Sequence, residues 1–150
     1  MKKTIWFDMD GTIANLYAVD NWLHKLRSYD PSPYAEAEVM LNMSLFARYL
    51  NKLQKLGYWI GIISWASKNS TKEYDKAVAD AKRRWLAEHL SSVEFDFTLI
   101  TAYGVPKELW MNTTDDILFD DNEEIRNEWD GEAYTPDKIL SVLKELIDKG

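Results

Sequence analysis

Four short apolar runs set the limits on what this chain can fold into: Ile5-Trp6-Phe7, Tyr58-Trp59-Ile60-Gly61-Ile62-Ile63, Phe95-Asp96-Phe97-Thr98-Leu99-Ile100 and Ile117-Leu118-Phe119. Each is close to continuous instead of alternating with polar residues. A strand of that kind must be covered on both faces, which is the condition of a parallel sheet wrapped by helices. The intervening segments supply the helices. Val39, Met43, Phe46, Leu50 and Leu53 recur at helical spacing, as do Tyr74, Val78, Ala81 and Trp85. A last helix, announced by Thr135-Pro136-Asp137, carries Ile139, Leu143, Leu146 and Ile147. The alternation predicts an α/β fold with a doubly wound parallel sheet, in one domain over residues 1–150.

Each run stops at a polar residue. Asp8 follows the first, Ser64 the second, Thr101 the third, and Asp120 with Asp121 the fourth. In open parallel sheets ligands bind beyond the carboxyl ends of the strands, so Asp8, Asp10, Ser64, Asp120 and Asp121 are expected to meet there. Asp8 and Asp10 stand two apart in Asp8-Met9-Asp10-Gly11-Thr12 and project to the same side of an extended chain, while Gly11 permits a sharp turn behind them. Carboxylates that close repel one another unless a proton or a cation intervenes, and a hard cation with oxygen ligands, most simply Mg²⁺, suits them.

Composition narrows the field. With 150 residues, 46% of them apolar, and seven Trp, the chain can bury a substantial core. Its net charge of −7 argues against extended nucleic acid as a partner, because phosphate backbones require a basic face. There is no cysteine, which removes disulfides and thiolate zinc sites. No apolar stretch approaches the length of a membrane span, and Met1-Lys2-Lys3 leads into a run too short for a signal peptide, so a cytoplasmic location without membrane partners is expected.

Taken together, these motifs resemble the haloacid dehalogenase superfamily of phosphotransferases. Asp8-Met9-Asp10-Gly11-Thr12 is similar to its first motif, Ile62-Ile63-Ser64 to its second, Lys107 to its third and Phe119-Asp120-Asp121 to its fourth. Within it, Ala81 to Leu90 (AKRRWLAEHL), Leu99-Ile100-Thr101, Lys107 and Ile117 to Asp121 resemble the deoxyribonucleotidases. The resemblance implies a Mg²⁺-dependent phosphomonoester hydrolase. Asp8 would be the nucleophile, Asp10 the acid and base, and the metal would be held by Asp8, the Asp10 carbonyl and Asp120 or Asp121. Ser64 and Lys107 would bind the phosphoryl group, with Lys68 or Lys72 as substitutes for Lys107. A small-molecule phosphate ester, in particular a nucleoside or deoxynucleoside monophosphate, would be the substrate.

Other readings compete with these. A sugar phosphate or a nucleic-acid 3′ end is an alternative substrate, and a silent binding module an alternative class. A signalling receiver domain also combines acids, a hydroxyl and a lysine on a parallel sheet, but in a different order along the chain. Asp120 and Asp121 could instead cap a helix through Ile125. A small helical cap is expected over about residues 14–45, with one helix from Asn15 to Tyr29, a break at Asp30-Pro31-Ser32-Pro33, and a longer helix through Met40 towards Leu56. Tyr17, Trp22, Tyr29, Tyr34 and above all Trp65 are candidates to stack on a base. His24 and His89 read as helix-surface residues, and Lys82-Arg83-Arg84 as the wet face of the helix that buries Trp85.

Overall fold

The computed structural model describes residues 2–150. Five strands, β1 (Thr4–Phe7), β4 (Trp59–Trp65), β5 (Phe97–Thr101), β6 (Ile117–Phe119) and β7 (Ala133–Tyr134), form one sheet in the order β5-β4-β1-β6-β7. Every pairing in it is parallel, with Phe7 level with Ile62 on one side and Phe119 on the other. The chain runs outward from β1 through β4 to β5, then returns to place β6 on the far side of β1. Strand order therefore reverses at β1, and the crevice at its carboxyl end is the place where such folds bind ligands.

The two faces of the sheet are covered differently. Ile5, Phe7, Ile60, Ile62, Ile117 and Phe119 face a core filled by α3 (Met43–Lys55), α4 (Lys72–His89) and α6 (Ile139–Lys149) through Phe46, Leu50, Leu53, Trp85, Ile139 and Leu143. On the opposite face Trp6, Ile63 and Leu118 meet Ile125 and Trp129, from and just after the short α5 (Glu123–Glu128). The Trp6 ring fits because Gly61 has no side chain: a Cβ there would lie 2.5 Å from it. Asp116, wholly buried beneath this face, accepts from Thr4 N–H, Trp6 Nε1, Asn112 N–H and Thr113 Oγ1, so both of its side-chain oxygens are hydrogen-bonded.

Between β1 and α3 the chain builds a small accessory layer. It holds a two-stranded antiparallel pair, β2 (Ala14–Asn15) with β3 (Glu38–Val39), and two short helices, α1 (Trp22–Arg27) and α2 (Ser32–Glu36). The single helix expected from Asn15 to Tyr29 is divided into a 3-10 turn at Leu16–Ala18 and α1, because Asn21 adopts a left-handed conformation between them. The pair β2/β3 carries no readable pattern, since two residues per strand are too few to show alternation. Leu16 and Tyr34 of this layer pack on Tyr74, Val78 and Ala81 of α4. Thus α4 joins the accessory layer at its amino-terminal half to the main core at Trp85. No helix among the described residues is long and apolar enough to cross a membrane.

Candidate active site

The turn after β1 is built to present carboxylates. The Met9 carbonyl accepts from the N–H groups of Thr12, Ile13 and Ala14, and Gly11 takes φ +76°, a conformation that favours glycine. Asp8 N–H donates to the Phe119 carbonyl at 2.9 Å, which carries the β1–β6 pairing one residue further and brings Asp8 beside Asp120. One carboxylate oxygen from each of Asp8, Asp120 and Asp121 lies within 4.8 Å of the others. Three hard oxygen donors at that separation suit a Mg²⁺-sized ion better than a soft one.

Lys107 closes the cluster from the side. It is 2% exposed, and its Nζ donates to Asp8 Oδ1 at 3.0 Å and Asp120 Oδ2 at 2.6 Å. Burial alone would lower its pKa, but the Asp8 and Asp120 carboxylates outweigh that and raise it, so it stays an ammonium. The lysine expected from sequence is therefore in contact with the carboxylates. Lys68 lies exposed on the cavity wall and Lys72 is exposed at the start of α4.

The acidic groups feel one another. Burial, reinforced by Asp8, pushes Asp120 up to about 6 against the pull of Lys107. Burial and then Asp8 push Asp121 up to about 7. Asp10 is raised by burial, with Lys82 opposing and Asp8 reinforcing the shift. Asp121 is the less committed of the fourth-strand pair. Asp120 accepts from Lys107 on one oxygen and from Asn122 N–H on the other, whereas the Thr12 hydroxyl lies 2.9 Å from Asp8 and only 3.4 Å from Asp121. Neither aspartate caps the following helix, because the Asn122 side chain accepts from Ile125 N–H and does that work.

A cavity of about 540 Å³ opens above these groups, a size that suits a small ligand. Asp8, Asp10, Lys107, Asp120 and Asp121 line its floor together with all five aromatic residues singled out above, Tyr17, Trp22, Tyr29, Tyr34 and Trp65. Tyr17 and Tyr29 are about half exposed at 50% and 52%. Trp65 is more committed: its indole N–H donates to the Val105 carbonyl at 2.7 Å, its ring packs on Tyr103, and Lys107 Nζ lies 5.5 Å from it. It forms the wall that holds the Lys107 segment in place. A wider groove of about 750 Å³, carrying Arg48, Lys52, Lys55 and His89, shares no residue with this cavity.

Ser64 is wholly buried and outside the cavity lining, and its oxygen accepts from Lys82. The serine in the wall is Ser67, whose hydroxyl bonds to that of Tyr34. Lys82 is not on a wet face. It is 1% exposed, while Arg83 and Arg84 beside it are exposed, and its Nζ reaches Asp10 Oδ2 at 2.8 Å. The signal was present in the sequence: Lys82 lies four residues after Val78 and eight after Tyr74, within the apolar stripe of α4. Reading it as part of a charge run concealed that phase.

Among solved structures, the chain is similar to the D,D-heptose 1,7-bisphosphate phosphatase from Burkholderia thailandensis, with a TM-score of 0.60 and 13% identity over 97% of this chain and 99% of that one. It is also similar to the D,D-heptose 1,7-bisphosphate phosphatase from B. bronchiseptica complexed with magnesium and phosphate, with a TM-score of 0.58 and 12% identity over 99% of each chain. At such identities the likeness is one of fold, and it spans the chain from end to end. No protein-family model and no curated protein sequence matches this chain.

Proposed function

We propose that this protein is a Mg²⁺-dependent phosphomonoester hydrolase that works through an aspartyl-phosphate on Asp8, with a nucleoside or deoxynucleoside monophosphate as substrate. The observation that carries the reading is the convergence of Asp8, Asp120 and Asp121 around Lys107 on the floor of a cavity that Asp10 also lines. The magnesium and phosphate held by the B. bronchiseptica phosphatase, on a similar fold, support the choice of metal and of reaction.

The chemistry divides into two displacements. An Asp8 carboxylate oxygen bonds to phosphorus as the bond to the ester oxygen breaks, and Asp10 gives that oxygen its proton. Water then bonds to phosphorus and passes a proton back to Asp10, and the Asp8–phosphorus bond breaks, which frees phosphate and restores the Asp8 carboxylate and the protonated Asp10. Asp8, Asp120, Asp121 and the Asp10 carbonyl would hold Mg²⁺, which when bound neutralises charge on the transferring group. Lys107 keeps the charge of Asp8 from repelling the incoming phosphate. Ser67, on the cavity wall, takes the phosphoryl-binding role expected of Ser64.

The aromatic wall favours a flat base, since stacking on aromatic rings is available to any nucleobase. A second reading, a sugar phosphate, is favoured by the substrate that both similar structures carry in their names. Phosphate release from deoxynucleotides, ribonucleotides, sugar phosphates and a chromogenic ester, with and without Mg²⁺ and beside Asp8→Asn, tests both. Metal-dependent release lost in the variant is expected, with nucleotides preferred. A preference for sugar phosphates would select the second reading, and metal-independent release, or release that survives Asp8→Asn, would overturn the mechanism.

A further inference from the structure

Lys82 has no task in the chemistry proposed above, yet it is buried to 1% exposure beside that chemistry. Its ammonium has three protons and three acceptors: Asp10 Oδ2 at 2.8 Å, Ser64 Oγ at 2.6 Å and the Trp65 carbonyl at 2.7 Å. No proton is left over for a substrate. The Tyr34 ring lies 5.0 Å from Nζ as well. Burying an ammonium carries a large desolvation cost, which this ion pair and its hydrogen bonds offset. Lys107 serves Asp8 and Asp120 from the segment after β5, whereas Lys82 serves Asp10 from α4. Among the described residues, Lys82 is the only side chain hydrogen-bonded to the Asp10 carboxylate.

That exclusivity matters because Asp10 lies beyond the end of β1, where its backbone makes only an isolated bridge to Ala14 and its carboxylate has no other side-chain partner. A carboxylate that must deliver a proton to one oxygen atom needs a fixed direction. We propose that Lys82 is the positioning residue for Asp10: anchored by Ser64 and the Trp65 carbonyl, it pins Oδ2 and leaves Oδ1 to face the leaving-group oxygen. The inference rests on the reading of Asp10 as acid and base. During turnover the proton moves from Asp10 Oδ1 to the ester oxygen as the phosphorus–oxygen bond breaks, and returns to Oδ1 from water in the second displacement. Lys82 keeps its three protons throughout.

The consequence is a dependence on leaving group, which a residue that merely supports the fold would not produce. Nitrophenolate departs without a proton, while the alkoxide of an alkyl phosphate or a nucleoside 5′-phosphate requires one. We would measure the burst of leaving group from the first displacement, which precedes the hydrolysis that both esters share, for 4-nitrophenyl phosphate and a nucleoside 5′-phosphate with the native protein, Lys82→Met and Asp10→Asn. Lys82→Met should lose roughly 100-fold or more in burst rate on the alkyl ester, within the range general acids contribute, and only a few-fold on the nitrophenyl ester. The ester concentration that half-saturates the burst should stay within about twofold for both, because no Lys82 proton is available to substrate. Equal losses in burst rate on the two esters, no loss, or a change confined to half-saturation would each overturn the proposal. If Asp10→Asn shows no leaving-group dependence, the acid/base reading itself fails and this proposal with it. If circular dichroism shows that Lys82→Met does not fold, Ser64→Ala decides: it removes one anchor and keeps the ion pair. A smaller loss with the same leaving-group selectivity supports positioning, and a uniform loss or none refutes it.

Discussion

Gly11 offers a perturbation whose consequences separate into stability and metal binding. Its φ of +76° is one that an L side chain rarely adopts, and a Cβ there would overlap Asp121 Oδ2 and stand 2.9 Å from a Tyr17 ring carbon. Placing alanine in the left-handed region costs about 1–2 kcal/mol. For a chain of this size that lowers Tm by roughly 2–8 °C, at about 2–4 °C per kcal/mol. The clash adds little to this, since a carboxylate at the end of its side chain can swing aside. Swinging aside is the functional injury, because Asp121 then leaves the group it forms with Asp8 and Asp120. Loss of such support weakens metal sites by about 10- to 100-fold. Gly11→Ala should therefore melt only slightly lower in chelator, yet need roughly 10- to 100-fold more Mg²⁺ for half-maximal turnover. An unchanged Mg²⁺ requirement would refute the placement of Asp121 among the ligands.

Other outcomes follow from the same geometry. Asp121 at about 7 and Asp120 at about 6 lie above the ordinary 3.8, so the folded protein binds more protons than the unfolded chain between those values, and these groups lose their stabilising contribution as pH rises through 6 to 7. The increase in Tm on adding Mg²⁺ should accordingly be larger at pH 8 than at pH 5.5, and a pH-independent increase would contradict the cluster's role. Tyr17→Ala or Tyr29→Ala should raise KM for nucleotides roughly 5- to 100-fold, as loss of one stacked base implies, and leave a chromogenic ester unaffected. If both substrates weaken alike, the aromatic wall does not hold a base. Lys107→Met should abolish most turnover on every ester, since it leaves Asp8 and Asp120 without their shared cation, and selective loss on one ester class would argue that Lys107 reads the leaving group instead.

How much of this was legible depended on local pattern. The four apolar runs fixed the parallel sheet because strands covered on both faces leave a continuous signature, and the polar residues at their ends pointed to one edge. Asp8, Asp10, Asp120 and Asp121 were singled out by that route and Lys107 by family resemblance, and all five line one cavity. Ser64 was placed at the end of β4, but the reading could not tell that the strand continues through Trp65 or that the Ser64 oxygen accepts from Lys82. Lys82 itself was lost among neighbouring charges, although its phase on α4 was that of Tyr74 and Val78. The accessory layer was the hardest part. Its pieces are two to six residues long, below the length at which periodicity speaks, and its position depends on packing against α4.

The most direct test of the mechanism is to quench the protein in acid while it turns over an excess of phosphate ester with Mg²⁺, and to locate any bound phosphoryl group by peptide mass spectrometry. A hydroxylamine-labile phosphate on Asp8, absent in chelator and accumulating further in Asp10→Asn, is the result expected. Mg²⁺-dependent turnover with no phosphorylated Asp8, or with the phosphate on another residue, would contradict it.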